Sequence, residues 1–143
     1  MGHIRYTFAE LRTGMKESIS HTVTREDIDR FADVTGDRNP IHVDEAFARD
    51  SKFGKTIAHG MFGAGLISAV LGTKLPGPSG MYMEQTLRFM KPVFIGDTIT
   101  ATAEITNLIP DKYRVSLRTT CTNQDGATVI EGEALLYFKV LEK

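Results

Sequence analysis

The hydrophobic positions of this chain follow two different periods, one in each half. In the first half, Ile28 and Phe31 recur at helical spacing after Thr24, and the pattern stops at Gly36. Thr24 followed by Asp27 resembles a capping box with Asp in place of Glu, which predicts a helix start. Gly36 predicts the helix end, because glycine readily adopts the left-handed conformation.

A second apolar stretch, from His59 to Gly72, contains no charged residue. A helix without a polar face is typical of a buried helix, so we expect this one to lie inside a curled sheet. Its glycines each lower helix propensity by about 1 kcal/mol relative to Ala, which favours a role in letting the sheet approach closely. Between the two helices, Asp44 predicts the cap of a short helix over residues 45–49.

The second half alternates apolar and polar residues and predicts strands. Together with one strand near the N-terminus, the predicted strands are 17–24, 81–89, 98–107, 113–123 and 128–140. Turn sequences at Pro110-Asp111 and at Gln124-Asp125-Gly126 separate the last three. About five antiparallel strands and one buried helix predict an α+β fold in which the sheet wraps around the helix.

Length and charge narrow the class of protein. The 143 residues predict one domain, residues 1–143, with a real core. The 17 basic and 18 acidic residues nearly cancel, which argues against nucleic acid or an anionic membrane surface as a partner. The one cysteine, Cys121, excludes an internal disulfide and is expected to be a buried, inert thiol. With neither a signal peptide nor a membrane span in the pattern, we expect a soluble, cytoplasmic protein.

The stretch from Gly36 to Asp44 carries a carboxylate and an imidazole, Asp37 and His42, across an Asn-Pro turn. Free Asp and His have pKa values of about 3.9 and 6.5, so the pair is suited to orienting, deprotonating and reprotonating one water. Pro40 fixes its own φ and restricts the residue before it, which predicts a stiff loop. The alternative is that both residues have only local structural roles. No zinc, nicotinamide, ATP or nucleophile-elbow motif occurs, so neither metal nor cofactor is expected.

Three motifs, taken in this order, resemble the MaoC-like hydratases, the hot-dog proteins typified by (R)-specific enoyl-CoA hydratase. They are Gly36-Asp37-Arg38-Asn39-Pro40-Ile41-His42, then His59-Gly60-Met61, then Pro92-Val93-Phe94-Ile95-Gly96-Asp97, and the similarity runs from about Ser18 to the C-terminus. The resemblance implies a hot-dog fold, with an overhanging helical segment that carries the active-site loop. It also implies a homodimer and reversible syn addition of water to a trans-2-enoyl thioester, giving the (R)-3-hydroxyacyl product.

By this resemblance, Asp37 and His42 match the catalytic pair, and Gly60 matches the residue whose backbone N–H binds the thioester oxygen. That role suits the start of a buried helix, where unpaired N–H groups point outward. Which of the pair is base and which is acid stays open, because they would titrate as a coupled unit. Asn39 is expected to orient His42 or its loop. The alternative is that Asn39 has only the local role common for Asn before proline. Ser68, about 12 Å along the helix from Gly60, is expected to line or support the pocket.

The leading hypothesis is an acyl-CoA hydratase that supplies (R)-3-hydroxyacyl-CoA, possible precursors of polyhydroxyalkanoate, with no cofactor beyond the CoA of its substrate. A dehydratase acting on acyl-carrier-protein thioesters and a non-catalytic acyl-thioester binding module are the alternatives. For His59, a structural role beside the helix start is favoured. Candidates for closing the acyl tunnel are Met61, Phe62, Met83 and Leu87, and candidates for meeting the CoA phosphates are Arg88, Lys91 and Arg114.

Overall fold

The strands and helices follow the predicted order. The computed structural model describes residues 2–140, so Met1 and residues 141–143 of the predicted domain lie outside the described residues. The strands are β1 (Lys16–Thr22), β2 (Met81–Gln85), β3 (Arg88–Phe89), β4 (Thr98–Ile109), β5 (Arg114–Thr122) and β6 (Thr128–Tyr137). The α-helices are α1 (Arg25–Thr35), α2 (Pro40–Val43), α3 (Glu45–Arg49) and α4 (Gly60–Thr73), and short 3-10 helices cover Phe8–Glu10 and Pro110–Lys112.

All strand pairs are antiparallel, in the order β1-β4-β5-β6-β2, and β3 also pairs with β6. Gln85 lies opposite Ala134 and Arg88 lies opposite Glu131, so β2 and β3 continue along the same neighbour in one register. The strand predicted over 81–89 therefore occupies one position in the sheet but is split in two. This explains why the six strands found within residues 2–140 fill the five predicted positions.

Thr86 lies at the split between β2 and β3. Its N–H donates to the Glu133 carbonyl at 2.9 Å, and its hydroxyl accepts from the Glu133 N–H at 2.9 Å. A Cβ built on Gly132 would lie only 1.8 Å from the Thr86 carbonyl oxygen. The close approach of the two backbones thus requires glycine at position 132.

Helix α4 packs against β1, β4 and β5, and its residues Ile67, Val70 and Leu71 are fully buried. From Thr98 to Ile105 of β4 every second residue is buried, because alternate side chains of a strand point to the same face of the sheet. The buried side chains of β4 and β5 belong to the same apolar cluster as those of α4. The predicted α+β architecture, with a sheet packed around a helix, is confirmed.

Helix α4 packs inside the sheet as predicted, but within a single chain it is buried along one side and exposed along the other. Within a single chain, Met61 is 56% exposed, and Ser68 is exposed as well. The glycines are expected to let the sheet approach the helix closely. This role holds at Gly63, where a Cβ would lie 2.5 Å from Ile130 Cδ1 on β6. It does not hold at Gly65 or Gly72, where no neighbouring atom of residues 2–140 lies within 4 Å of a built Cβ.

The predicted ends of α1 are confirmed. The Thr24 side chain accepts from the Asp27 N–H, the capping box is complete, and Gly36 is left-handed with φ of 79°. The predicted stiff loop after Gly36 is in part wrong, because it contains the four-residue helix α2 with Pro40 at its first position. Four residues are too short to create a period, although Asn followed by Pro is typical of a helix start.

Cys121 is fully buried on β5, and its Sγ–H donates to the Gly63 carbonyl at 3.6 Å. Burial raises the pKa of this thiol to about 12. The expected burial of Cys121 is therefore confirmed. Of the helices within residues 2–140, none combines the length and the apolar character needed to cross a membrane.

Candidate active site

Helix α2 places the His42 imidazole in the interior, where the residue is 9% exposed. Its Nδ1 lies 2.8 Å from the Ile57 carbonyl oxygen. Because a carbonyl oxygen only accepts, Nδ1 carries the proton and donates it to Ile57. In the neutral ring, Nε2 is therefore left as a hydrogen-bond acceptor.

Asp37 follows the left-handed Gly36 and is exposed. Its backbone N–H donates to the Thr35 hydroxyl at 3.1 Å, and its Oδ1 accepts from the Asn39 N–H at 3.3 Å. The carboxylate is thus turned back over its own loop toward α2. Asp37 and His42 line the same cavity, as their spacing in the sequence predicts.

His59, which immediately precedes α4, connects that helix to the Asp37 loop. Its Nε2–H donates to the Asp37 carbonyl at 2.9 Å, and its ring centroid lies 4.0 Å from that of His42. The residue is 3% exposed, and within residues 2–140 its Nδ1 has no hydrogen-bond partner. His59 therefore has the structural role favoured from the sequence, and it also contacts both Asp37 and His42 directly.

The surroundings of His42 favour its neutral form. Burial lowers the pKa of His42 below its ordinary value, and the charges of His59 and Arg25 act in the same direction. The hydrogen bond to Ile57 and the charge of Asp37 oppose this decrease without cancelling it. A neutral imidazole at neutral pH is able to accept a hydrogen bond, and then a proton, from water.

Gly60 is the first residue of α4, and His59 at its N-cap makes no capping hydrogen bond through its side chain. Its N–H has no acceptor within the helix and lies at the positive end of the helix dipole. A Cβ at this position would lie 2.7 Å from the ring of Phe89. The absence of a side chain thus lets the aromatic ring pack directly over the helix start.

These groups open into a cavity of about 510 Å³. Its lining is almost entirely apolar and includes Phe53, Ile57, Met61, Phe62, Leu66, Phe89, Met90, Val93, Ile99, Val129 and Ile130, together with Asp37, His42, His59, Gly60 and Lys91. The three residues predicted to be catalytic, Asp37, His42 and Gly60, therefore share one apolar cavity.

Within residues 2–140, a ligand atom from each of Asp37, His42 and His59 lies within 4.8 Å of the others, a possible metal-binding group. The carboxylate of Asp37 and a neutral imidazole nitrogen also accept hydrogen bonds from water. Since the sequence has no recognised zinc spacing, we do not assign these residues as metal ligands.

Comparison with known proteins identifies the family. The family model of the MaoC like domain matches residues 8–127 of this chain. The chain belongs to the MaoC-like family. The predicted resemblance and hot-dog fold are thereby confirmed.

Two relatives and one solved structure resemble this MaoC-like protein along most of its length. The (R)-specific enoyl-CoA hydratase of Rhodospirillum rubrum is 50% identical over 131 residues, which cover 92% of this chain and 90% of the relative. The 3-hydroxybutyryl-CoA dehydratase of Methylorubrum extorquens is 48% identical, over 90% of this chain and 82% of the relative. The structure of the (R)-hydratase from Aeromonas caviae involved in PHA biosynthesis superimposes with a TM-score of 0.88 at 40% identity, covering 90% of this chain and 98% of that one.

The MaoC-like site keeps Ser68 apart from His42. Ser68 lines a neighbouring cavity of about 710 Å³, which meets the first one at Asp37 and Met61. Of the four candidates for closing the acyl tunnel, Met61 and Phe62 line the first cavity, whereas Met61, Met83 and Leu87 line the second.

The other predicted site residues have more local roles. Asn39 caps α2, because its Oδ1 accepts from the Ile41 N–H at 3.2 Å. Among the three basic candidates, Lys91 lines the first cavity, while Arg88 forms an ion pair with Glu131 at 3.7 Å. Arg114 lies at the start of β5 and lines neither of the two cavities that meet at Asp37.

One residue beside the site of this MaoC-like protein has no signal in the sequence. Arg25 lies in the first turn of α1 and donates a hydrogen bond to the His42 carbonyl. An Arg at the start of a surface helix predicts only a solvated side chain, because nothing in the local pattern links positions 25 and 42. The contact depends on how α1 packs beside α2.

Proposed function

We propose that this protein is an (R)-specific enoyl-CoA hydratase, which reversibly adds water to trans-2-enoyl-CoA to form (R)-3-hydroxyacyl-CoA. One observation carries the proposal: the Asp37 carboxylate, the buried His42 imidazole and the start of α4 at Gly60 line one apolar cavity. The names of the two relatives at 48% and 50% identity support the same reaction.

The chemistry follows from these three groups. A water held by the Asp37 carboxylate and by His42 Nε2 is positioned to attack Cβ of the enoyl thioester, and one of the pair takes its proton. The electron pair of the carbon–carbon double bond moves toward the thioester carbonyl, giving an enolate-like oxygen. The Gly60 N–H stabilises that oxygen, since a preorganised donor at a helix start matches the charge that develops. A proton then returns to Cα from the same face, which completes a syn addition.

The carrier is proposed to be CoA, as in the names of both relatives. The same chemistry would serve a thioester of acyl carrier protein, so the two carriers have to be compared by kinetics with the same acyl group. We expect kcat/KM for crotonyl-CoA to exceed that for the crotonyl thioester of acyl carrier protein by at least about tenfold. The reverse ratio would favour the dehydratase of fatty-acid synthesis.

We further propose a homodimer. The sheet ends at β2, whose Met81, Tyr82 and Met83 are 63%, 44% and 43% exposed, and the exposed side of α4 beside it carries Met61. An exposed apolar surface next to a free strand edge is typical of an interface. Light scattering during size-exclusion chromatography should give twice the mass of the chain, 15.8 kDa, whereas a monomer at micromolar concentration would contradict the proposal.

No cofactor beyond the CoA of the substrate is proposed, because the hydration is redox-neutral: water supplies the electron pair of the new C–O bond, and the pair of the double bond forms the new C–H bond. Activity should therefore survive dialysis against EDTA. A loss that added zinc or magnesium restores would contradict this. The cytoplasmic location remains a prediction from the sequence.

The reaction is tested by mixing the purified protein with crotonyl-CoA and following the loss of the conjugated enoyl absorbance. Chiral analysis of the product should identify the (R)-3-hydroxy isomer. Asp37→Asn and His42→Gln should each lower kcat by about 10²–10⁴-fold, the usual contribution of an acid or base group.

Matched controls are Asp111→Asn and His3→Gln, which change the same residue types at exposed positions outside the cavity. Both should keep wild-type activity. If the wild type and the two site variants are equally inert across several acyl lengths, while the protein still binds acyl-CoA, the chain is a binding module and the hydratase proposal fails.

A further inference from the structure

Arg25 reaches from α1 to both segments that hold His42. Its Nη2 donates to the His42 carbonyl at 2.6 Å, and its Nη1 donates to the Thr56 hydroxyl at 3.2 Å. Thr56 immediately precedes Ile57, whose carbonyl accepts the Nδ1–H of the His42 ring. The guanidinium is therefore bonded to the backbone of His42 and to the neighbour of the group that orients its imidazole.

The guanidinium itself is fixed in place. Its Nε and Nη2 both lie 3.1 Å from Asp29 Oδ1, one turn further along α1. The Arg25 side chain is 31% exposed and Thr56 is 5% exposed, so the bond to the hydroxyl is shielded from water. A planar guanidinium makes these bonds together in a fixed geometry, which the single ammonium of a lysine cannot reproduce.

Helix α2 needs such support, because its four residues are far too few to be stable alone. Asn39 caps its first turn, and Arg25 binds a carbonyl in its last turn. A cation at a helix C-terminus also interacts favourably with the helix dipole. The two ends of α2 are thus held by separate side chains, and the end that carries His42 is held by Arg25.

We infer that Arg25 is a positioning residue, which holds the His42 imidazole in its working orientation by bonding the His42 carbonyl and the Thr56 hydroxyl at once. The inference rests on the proposed function for its effect on turnover, but its structural part concerns the His42 ring alone. Arg25 does not line the cavity and acts only through His42.

The kinetic arm compares Arg25→Met and Arg25→Lys with Arg30→Met. Arg30 is the matched control, because it lies on the same helix, forms its own ion pair with Glu26 and is 76% exposed. Arg25→Met should lower kcat by about 10–10²-fold, the scale expected for a misplaced catalytic group, and change KM by less than about threefold. Arg25→Lys should recover part of kcat, since one donor still reaches the His42 carbonyl. Arg30→Met should match the wild type.

The spectroscopic arm does not depend on turnover and therefore separates this inference from the proposed function. In the wild type, the hydrogen-bonded Nδ1–H of His42 should give a protected, downfield proton resonance, which Arg25→Met should broaden or abolish and Arg30→Met should retain. The charged or titratable groups that face His42 are Asp37, His59 and Arg25. Because the charge of Arg25 lowers the pKa of His42, the titration midpoint should rise in Arg25→Met and less in Arg25→Lys.

Two results would overturn the inference. One is an unchanged Nδ1–H resonance in Arg25→Met. The other is a fall in kcat that Arg30→Met reproduces to the same extent. If Arg25→Met does not fold, Arg25→Lys decides the matter: an unchanged Nδ1–H resonance and a kcat within twofold of wild type would then contradict the inference. If the wild type proves inert toward enoyl-CoA, the spectroscopic result alone decides.

Discussion

Two regions of this molecule are held together in different ways. The sheet and the buried side of α4 are stabilised by strand ladders and by apolar packing around Ile67, Val70 and Leu71. The regular structure of residues 37–60, which we call the site segment, consists of the short helices α2 and α3 and the first residue of α4. It depends on a few directional bonds: Arg25 to the His42 carbonyl, His42 to the Ile57 carbonyl, His59 to the Asp37 carbonyl and Asn39 to the Ile41 N–H.

The difference teaches that stability and activity are separable here. Apolar packing is non-directional and distributed over many residues, so it determines the free energy of unfolding. A directional bond contributes about 1 kcal/mol to stability but fixes the orientation of a reactive atom. Changes in the sheet should therefore alter stability more than turnover, and changes in the site segment should do the reverse.

Outside the Asp37 and His42 pair, the largest effect on turnover is expected for Gly60→Ala. The new methyl would collide with the Phe89 ring at 2.7 Å and displace it. That ring lines the cavity beside the N–H proposed to bind the thioester oxygen. Displacement of this kind should lower kcat by about 10²-fold. Steady-state kinetics with crotonyl-CoA measures it.

The control for Gly60→Ala is Gly72→Ala on the same helix, where a Cβ would meet no atom of the described part of the chain within 4 Å. It should leave kcat unchanged and raise the free energy of unfolding by about 0.5–1 kcal/mol, through lower entropy of the unfolded chain. Equal losses of activity in Gly60→Ala and Gly72→Ala would contradict the proposed role of the Gly60 N–H in binding the thioester oxygen.

The largest effect on stability is expected for Gly132→Ala in the sheet. A Cβ placed 1.8 Å from the Thr86 carbonyl forces two backbones apart, since no side chain can rotate away. The free energy of unfolding should fall by about 1–3 kcal/mol, as measured by urea denaturation. The remaining folded protein should keep kcat within about twofold. A stable but inactive Gly132→Ala protein would contradict the expectation that changes in the sheet alter stability more than turnover.

A smaller effect is expected for Asn39→Ala in the site segment. Loss of the cap on α2 should cost about 1 kcal/mol locally and lower kcat several-fold, because His42 is held by that helix. Asn107→Ala, at an exposed position on β4, is the matched control and should change neither quantity. Unaltered kinetics in Asn39→Ala would mean that Arg25 and Ile57 suffice to hold His42.

The smallest effect concerns pH. Burial lowers the pKa of His42 in the folded protein, so the unfolded chain takes up a proton more readily as the pH falls below about 6.5. The contribution of His42 to stability is therefore fully present above that pH and is lost below it. Urea denaturation at pH 7.5 and 5.5 should show a smaller loss for His42→Gln than for the wild type. An equal or larger loss in the variant would contradict the lowered pKa.

The sequence predicts the regular parts of the fold well, because hydrophobic period and helix caps are local signals. Thr24, Asp27 and Gly36 define α1, and the alternation of residues defines each strand to within a few positions. The splitting of the strand at Thr86 escapes the pattern, since it depends on a backbone contact with Gly132, 46 positions away along the chain.

For the candidate site, the sequence alone determined which residue types stand at positions 37, 42 and 60, and their motifs led to the MaoC-like family. Only the tertiary structure decided that Asp37, His42 and Gly60 share one cavity, that Ser68 lies in the adjacent one and that His59 and Arg25 hold the loop and the imidazole. The physical reason is range. Caps and periods act over a few residues, whereas the bond between Arg25 and the His42 carbonyl joins two helices whose relative position is set by packing.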